Sequence, residues 1–389
     1  MKAAEALVFT ADPGEAGRRA AGVARASLGD CQPSFGALFA SAHFHDSAEA
    51  LLAAVTEQTG PLPLIGCVAE AVVGGAREVE SEPAVSLWLA AELGPVETFA
   101  MEFVRTASGG AYGGYRFGSG RAGVHLMICD PFTFPPDHLL AHLNSHVAGT
   151  LVMGGMASGE LGLRQSRLFF DGRVLSHGAV GAHLPHAEIH PLVSQGCRPV
   201  GEPYTVTAAE GNVVYELGGR PPIVRLRELA AALTGRDREL LGQGVQVGMA
   251  INEYRAELRQ GDFLIRGIIG ANPETGALAV GDEVEVGQTL QFHVRDADSA
   301  DEDLQRALEQ EAAALGRPPA GALLFTCNGR GSQLFSEPDH DARLLAKMLG
   351  DIPVAGFFCA GEFGPVGGQN YLHGFTASIA LFPQAVPQA

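Results

Sequence analysis

Three segments of the chain share one layout, and this internal repeat restricts the fold more than any other feature of the sequence. Each segment has an apolar strand, a polar loop, an amphipathic helix and a second apolar strand, and it ends in a glycine-containing turn with a glutamate. This order of patterns predicts a β-α-β unit. The three units span residues 35–70, 124–160 and 322–362.

A further strand is predicted after each turn, at residues 84–89, 176–182 and 377–382. Such strands return towards their own unit, so the sheets should contain antiparallel as well as parallel pairs. The predicted fold class is α/β with mixed sheets, in which repeated β-α-β units form two adjoining, related domains.

The chain is too long for one ordinary core, so its 389 residues predict more than one domain. The turn-rich sequence Gly-Gly-Arg-Pro-Pro at 218–222 marks a boundary, and a helix is predicted from 224 to 241. The predicted division is 1–200 for an N-terminal domain, 201–223 for a boundary stretch, 224–383 for a C-terminal domain and 384–389 for a disordered tail.

The charge balance argues against polyanionic partners. The chain has 26 basic and 44 acidic residues, a net charge of −18 without a basic cluster, so neither nucleic acid nor an anionic membrane is an expected partner. A secretory signal and an 18-residue apolar run are both lacking, and the six cysteines form no CxxC motif. We therefore expect a cytoplasmic protein with reduced thiols and without a cofactor.

The densest polar signature is the loop Cys-Asn-Gly-Arg-Gly-Ser at 327–332, directly after a buried strand. Ligands of α/β sheets gather at the carboxyl ends of strands. Arg330 lies between two glycines, which would let its guanidinium approach a ligand carboxylate and bind it with two hydrogen bonds. The alternative is a tight turn in which Arg330 makes a structural ion pair.

A second candidate element is Glu362, which lies on the glycine turn of the third unit. A carboxylate at this place can receive a ligand ammonium group. Because Glu70 and Glu160 recur at the related turns, closing the turn is the alternative role, and it is the one we predict for those two residues. The predicted ligand-binding residues are Arg330, Glu362, Cys327, Asn328, Asn370 and His373.

Cys327 also supports a different hypothesis, a thiol-dependent enzyme or a redox or electrophile sensor. A nearby arginine and backbone N–H groups favour a thiolate, and His373 would be the candidate base. The sequence sets up no Cys-His-Asp arrangement, so we identify no catalytic residues. His138, His142 and His146 recur along one predicted helix without a further ligand type, so no metal site is predicted.

Several motifs resemble those of FIST-domain proteins, a sensory family with adjoining N- and C-terminal FIST modules. In the N-terminal half they are LIGCVAE at 64–70, GGAREVE at 74–80 and PAVSLW at 83–88. In the C-terminal half they are LFTCNGRG at 324–331, DHD at 339–341, GFFCAGEFGP at 356–365 and NYLHGFT at 370–376.

The resemblance implies a protein that senses a small ligand, with an amino acid as the proposed ligand class, and it supplies no catalytic residues. The chain carries no kinase, methyl-accepting, cyclase or F-box segment beside the two modules. The leading hypothesis is therefore a sensory protein that binds an amino acid or similar metabolite and relays the signal to a separate partner. Arg330 would hold the ligand carboxylate and Glu362 its amino group.

Overall fold

The computed structural model describes residues 1–106, 109–118, 123–159, 165–255 and 257–384. Its helices are α1 (Pro13–Leu28), α2 (Ala48–Thr59), α3 (Pro136–His146), α4 (Pro222–Ala232), α5 (Gly235–Gln243), α6 (Ala297–Leu315) and α7 (His340–Leu349), with 3₁₀ turns at Ala42–Ser47 and Gly331–Gln333. The chain forms two strand-rich compact units. The first comprises Met1–Val193, Leu304–Leu372 and the segment from Thr376 onwards, and the second comprises Ser194–Asp303 with His373–Phe375.

The strands are numbered in chain order. Those up to residue 195 are β1 (Lys2–Phe9), β2 (Pro33–Ser41), β3 (Leu64–Ala69), β4 (Val72–Gly74), β5 (Arg77–Val79), β6 (Ala84–Ala91), β7 (Glu97–Thr106), β8 (Gly109–Gly113), β9 (Val124–Cys129), β10 (Leu151–Met156), β11 (Leu168–Phe170), β12 (Arg173–Leu175), β13 (Ala179–Leu184) and β14 (His190–Gln195). The later strands are β15 (Cys197–Glu210), β16 (Val213–Leu217), β17 (Gln246–Ala250), β18 (Phe263–Ala271), β19 (Leu278–Val280), β20 (Thr289–Arg295), β21 (Gly321–Cys327), β22 (Val354–Cys359), β23 (Glu362–Val366), β24 (Gln369–His373) and β25 (Thr376–Phe382).

All three predicted β-α-β units are present in the first compact unit. Their strands pair in parallel as β2 with β3, β9 with β10 and β21 with β22. The predicted return strands β6, β13 and β25 lie antiparallel to the first strand of their own unit. The predicted α/β fold with mixed sheets is therefore confirmed.

The hairpin that follows each unit does not pair with that unit. β4 and β5 from the first unit extend the sheet of the third through β22. β11 and β12 from the second extend the first through β3, and β23 and β24 from the third extend the second through β10. The exchange closes a ring of three and places residues 304–372 in one compact unit with the N-terminal half. The division at 200 and 224 stays a prediction for the sequence modules.

One glycine recurs at the same register position in the second strand of each unit. These residues are Gly66, Gly154 and Gly356, and a Cβ at any of them would lie 1.8 or 1.9 Å from a carbonyl oxygen of the paired strand. No side chain fits at that distance, so each parallel pair requires a glycine there. The repeat in the sequence is thus a repeat of backbone contact.

The three sheets share one apolar core, and helices cover their other faces. Phe39, Phe325 and Phe357 lie in the shared core, and the rings of Phe39 and Phe357 are 5.2 Å apart. α1 and α2 cover the first sheet, α3 the second, and α7 with Leu304 and Leu308 of α6 the third. Burial on both faces explains why these strands are continuous apolar runs.

The second compact unit is a closed barrel of six strands in the order β15, β16, β19, β18, β17 and β20. β15 pairs with both β20 and β16, and a register shift between Val200 and Tyr204 bends it between them. The helix predicted at 224–241 is two helices, α4 and α5, because the chain turns at Gly235, which has a φ of 56°. That single-helix prediction was wrong.

Two sequence predictions fall beyond this description. Glu160 lies outside the described residues, as does the predicted tail after residue 384. Among the helices that the structure describes, none is both long and apolar enough to span a membrane.

Candidate functional site

An open pocket of about 410 Å³ lies where β21 and β22 end, beside the hairpin that the first unit contributes. We call it the acidic pocket, because three carboxylates line it, one at the end of the first β-α-β unit and two from the hairpin segment that follows it. These are Glu70, Glu78 and Glu80. The third unit supplies polar groups from Asn328, Ser332 and Gln333 and apolar surface from Pro338 and Phe358.

Arg330 is fully buried behind this pocket and is bound to Asp341 in the first turn of α7. Its Nε donates to Oδ2 at 2.8 Å and its Nη2 donates to Oδ1 at 2.7 Å. The hydroxyl of Thr326 also donates to Oδ2, and His340 Nδ1 lies 2.9 Å from Oδ1. The Asp341 carboxylate therefore has a partner in every direction, and it holds the guanidinium in place.

The electrostatics of this pair match its geometry. Burial alone would raise the pKa of Asp341, yet the Arg330 guanidinium holds that pKa well below its ordinary value. The guanidinium also lies over the ring of Phe335, 5.2 Å from its centroid, and that ring stacks on His340. Arg330 thus makes the structural ion pair that the sequence left open as an alternative. Its Nη1 is buried without a hydrogen-bond partner among the described residues, and its predicted contact with a ligand carboxylate stays a prediction.

Glu362 is the first residue of β23 and is also fully buried. Its Oε2 accepts hydrogen bonds from the hydroxyl and the backbone N–H of Thr376, at 2.7 and 3.2 Å. Burial raises its pKa to about 8, against weaker lowering by Thr376 and Cys327. The residue is therefore protonated at neutral pH and ties β23 to the return strand. Its Oε1 is buried without a hydrogen-bond partner among the described residues, and its predicted role as the partner of a ligand amino group stays a prediction.

Asn370 is buried, and its side-chain amide hydrogen bonds to backbone groups and to Asn144. Its Oδ1 accepts from the N–H of Val152 at 2.8 Å, and its Nδ2 donates to the carbonyl of Thr150 at 2.8 Å and to Asn144 Oδ1 at 3.2 Å. These bonds tie β24 to residues 150–152 at the start of β10, and the predicted ligand contact of Asn370 stays a prediction. His373 is buried as well and is assigned to the second compact unit, and its predicted role stays a prediction.

Asn328 is the predicted site residue that the structure places on the acidic pocket. Its Nδ2 is 3.4 Å from Glu70 Oε2, so it links the third β-α-β unit to the first at the rim of the pocket. Cys327 precedes it and is buried, with the backbone N–H of Gly329 donating to its Sγ at 3.5 Å. A thiol-dependent function of Cys327 stays a prediction.

Glu78 was missed in the sequence, although it is the buried carboxylate of the pocket. Its backbone N–H donates to Asp339 Oδ1 at 2.8 Å, and its Oε1 accepts from the N–H of Ala342 at 3.0 Å. Its Oε2 has no hydrogen-bond partner among the described residues. Burial, followed by the charge of Asp341, raises its pKa to about 8. One oxygen of a carboxyl group that lines the pocket is thus buried and without a hydrogen-bond partner among the described residues.

Glu80 was missed as well, and it anchors the loop that contains Arg330. Its two oxygens accept from the N–H and the hydroxyl of Ser332, at 2.9 and 2.5 Å. A Cβ at Gly331 would lie 2.7 Å from Glu80 Oε1, and its φ is 51°, so the contact requires glycine. The signal was the GGAREVE motif, where glutamates two residues apart on a strand face the same side.

Comparison with known proteins agrees with these motifs. The FIST N domain matches residues 34–220, and the FIST C domain matches residues 226–365. An uncharacterized protein of Mycobacterium tuberculosis is 51% identical over 371 residues, which cover 95% of this chain and 97% of the relative. An uncharacterized protein of Mycobacterium bovis is 48% identical over 382 residues, which cover 98% of this chain and 99% of the relative.

FIST domains are sensory and signal-transduction domains that are thought to bind small ligands. The two domain matches together take in most of this sequence, and both relatives match almost end to end. The chain belongs to the FIST family.

Proposed function

We propose that this protein is a cytoplasmic sensor that binds a small metabolite with an amino group, an amino acid or a similar amine, in the acidic pocket. It relays occupancy of the pocket to a separate partner protein. The observation that carries the proposal is Glu78, whose Oε2 is buried and has no partner among the described residues. A buried acceptor left unsatisfied in the empty protein costs stability, and a donor from a ligand removes that cost.

The surroundings of Glu78 support an ammonium group as that donor. Glu70 and Glu80 add negative charge at the same pocket, and Asn328 adds an amide at its rim. Burial raises the pKa of Glu78 to about 8, and a nearby ammonium group favours the ionised form, so binding would release the proton of Glu78 to solvent and form an ammonium-carboxylate hydrogen bond, which is stronger than a bond between neutral groups. The pocket also lies at the carboxyl ends of parallel strands, where the ligands of α/β folds are usually held.

Arg330 has a supporting role in this proposal. Through Asp341 it joins the loop after β21 to the first turn of α7, and the same turn receives the Oε1 of Glu78 through Ala342. An ammonium group that hydrogen bonds to the Glu78 carboxylate would therefore shift this side chain and, through Ala342, the start of α7. We propose that this shift of α7 carries the signal to the partner.

A calorimetric and thermal-shift screen of amino acids and simple amines tests the proposal. We expect at least one to bind saturably and raise the melting temperature, and Glu78→Gln to weaken it at least tenfold. Gln keeps the acceptor for Ala342 and resembles the protonated acid, so the fold should hold, but it cannot ionise to meet an ammonium group. Glu57→Gln is the matched control, because Glu57 is an exposed carboxylate on α2. Binding by none of the compounds, or equal binding by both variants, would contradict the proposal.

A further inference from the structure

The acidic pocket has an uneven balance of charges. Its lining includes Glu70, Glu78 and Glu80, and no lysine or arginine is among its lining residues. Arg330 is fully buried and does not line the pocket; its Nε and Nη2 are bound to Asp341, and its Nη1 is buried without a hydrogen-bond partner among the described residues. A ligand in this pocket therefore meets carboxylates and neutral groups, and no side chain offers its own carboxylate a positive partner.

The three carboxylates differ in the hydrogen bonds that their oxygens already accept. Both oxygens of Glu80 accept from Ser332, and Glu70 is bound by Asn328 at the rim. The buried Oε2 of Glu78 is the acceptor without a partner among the described residues. One buried acceptor beneath a negative rim suits a single cationic head group that hydrogen bonds inward and is attracted by charges further out.

From this arrangement we propose that the ligand is an organic cation without a carboxylate, an aliphatic amine or diamine, in preference to a zwitterionic amino acid. This inference rests on the proposed function and narrows its ligand class. A carboxylate beside the ammonium group would lie close to the Glu70 and Glu80 charges without a compensating cation. The apolar surfaces of Phe358 and Pro338 suit a chain of methylene groups.

An organic cation fits the donor set better than a metal ion. Hard divalent cations need several oxygens that converge at 2.0–2.6 Å as a rule. Here Oε1 of Glu78 is held by Ala342, and both oxygens of Glu80 are held by Ser332. One ammonium group requires a single strong acceptor and a negative surrounding, which Glu78 and the rim provide.

Matched ligand pairs test the inference by calorimetry at one pH and ionic strength. Lysine is compared with 1,5-diaminopentane, and ornithine with 1,4-diaminobutane, since each pair differs in a single carboxylate. We expect at least one diamine to bind at least tenfold more tightly than its amino acid. Glu78→Gln should remove at least tenfold of that affinity, and Glu57→Gln should bind like wild type.

The other outcomes separate this inference from the proposed function. An amino acid that binds as tightly as its diamine, or more tightly, overturns the ligand class and leaves the proposed function standing. If Glu78→Gln leaves the affinity for the diamine unchanged, the proposed binding site is wrong. If Mg²⁺ or Ca²⁺ displaces the diamine and its binding depends on Glu78, the inference that the ligand is an organic cation is wrong. Failure of every amino acid and amine overturns both proposals.

Discussion

Two hairpins occupy the same place in the repeat and differ in chemistry. β4 and β5 extend the sheet of the third unit, and β23 and β24 extend that of the second. The latter brings Asn370, whose amide is hydrogen bonded to Asn144 and to the backbone of Thr150 and Val152. The former brings Glu78, which leaves one buried oxygen without a partner among the described residues. The hairpin of β23 and β24 also contains Glu362, whose Oε1 is likewise buried without a partner among the described residues, so what distinguishes Glu78 is its place in the lining of the acidic pocket.

The ion pair that supports the third unit should give the largest effect. Asp341→Asn leaves Arg330 buried without its carboxylate, and we expect a loss of about 4 kcal/mol in the free energy of unfolding. Urea denaturation measures it. Glu257→Gln is the control, because its pair with Arg259 is exposed, and it should have no measurable effect. Equal effects of both changes would show that the buried pair does not hold the strand end.

The recurrent glycine tests whether the units are built alike. Gly356→Ala places a Cβ 1.8 Å from the carbonyl oxygen of Leu324, so we expect a loss of about 3 kcal/mol or failure to fold. Gly66→Ala should cost a similar amount at the related position. Gly22→Ala in α1 is the control, since nothing lies within 4 Å of the added atom. A mild effect at Gly356 would contradict the close approach.

The free energy of unfolding should also depend on pH. Glu78 and Glu362 have pKa values raised to about 8, chiefly by burial. Since the folded protein keeps both protons while the unfolded chain ionises near pH 4.5, stability should fall as the pH rises from about 5 to above 8, by at least about 2 kcal/mol, because each unit of raised pKa corresponds to about 1.4 kcal/mol. Urea unfolding across this range measures the fall. The double variant Glu78→Gln/Glu362→Gln should flatten it, and a wild-type slope in that variant would contradict the assignment.

The two hairpins can be compared directly by one substitution in each. Asn370→Ala leaves buried backbone groups of Thr150 and Val152 unpaired, and we expect a loss of about 2 kcal/mol. Glu78→Gln should change stability at pH 7 by less than about 1 kcal/mol, because Gln resembles the protonated acid. Thermal unfolding without ligand measures both. The reverse order would show that the Glu78 hairpin is the structural one.

The smallest effect concerns the thiols that end the first strands of two units. Cys129 and Cys327 are both buried, so each should alkylate more slowly than the more exposed Cys31 in the native protein at pH 7. Iodoacetamide labelling followed by mass spectrometry gives the three rates. A Cys327 that reacts fastest would support the thiol-dependent alternative.

Local patterns predicted the β-α-β units and the return strands, because helix and strand periodicity lies within each segment. The hairpin exchange was out of reach, since it pairs residues such as Val73 and Gly356 that are far apart in sequence and carry no local mark of their register. For the same reason Glu78 went unrecognised, because a glutamate in a three-residue strand is ordinarily exposed. Arg330 was recognised, but its partner Asp341 is set by the docking of α7.

A crystal structure with bound 1,5-diaminopentane tests the binding role of Glu78 most directly. We predict an ammonium nitrogen at about 2.8 Å from the Oε2 of Glu78, a distance typical of charge-assisted hydrogen bonds. The Arg330–Asp341 pair should remain intact beside it. A diamine bound elsewhere, with the Oε2 still unpartnered at a concentration that saturates binding in solution, would contradict that role.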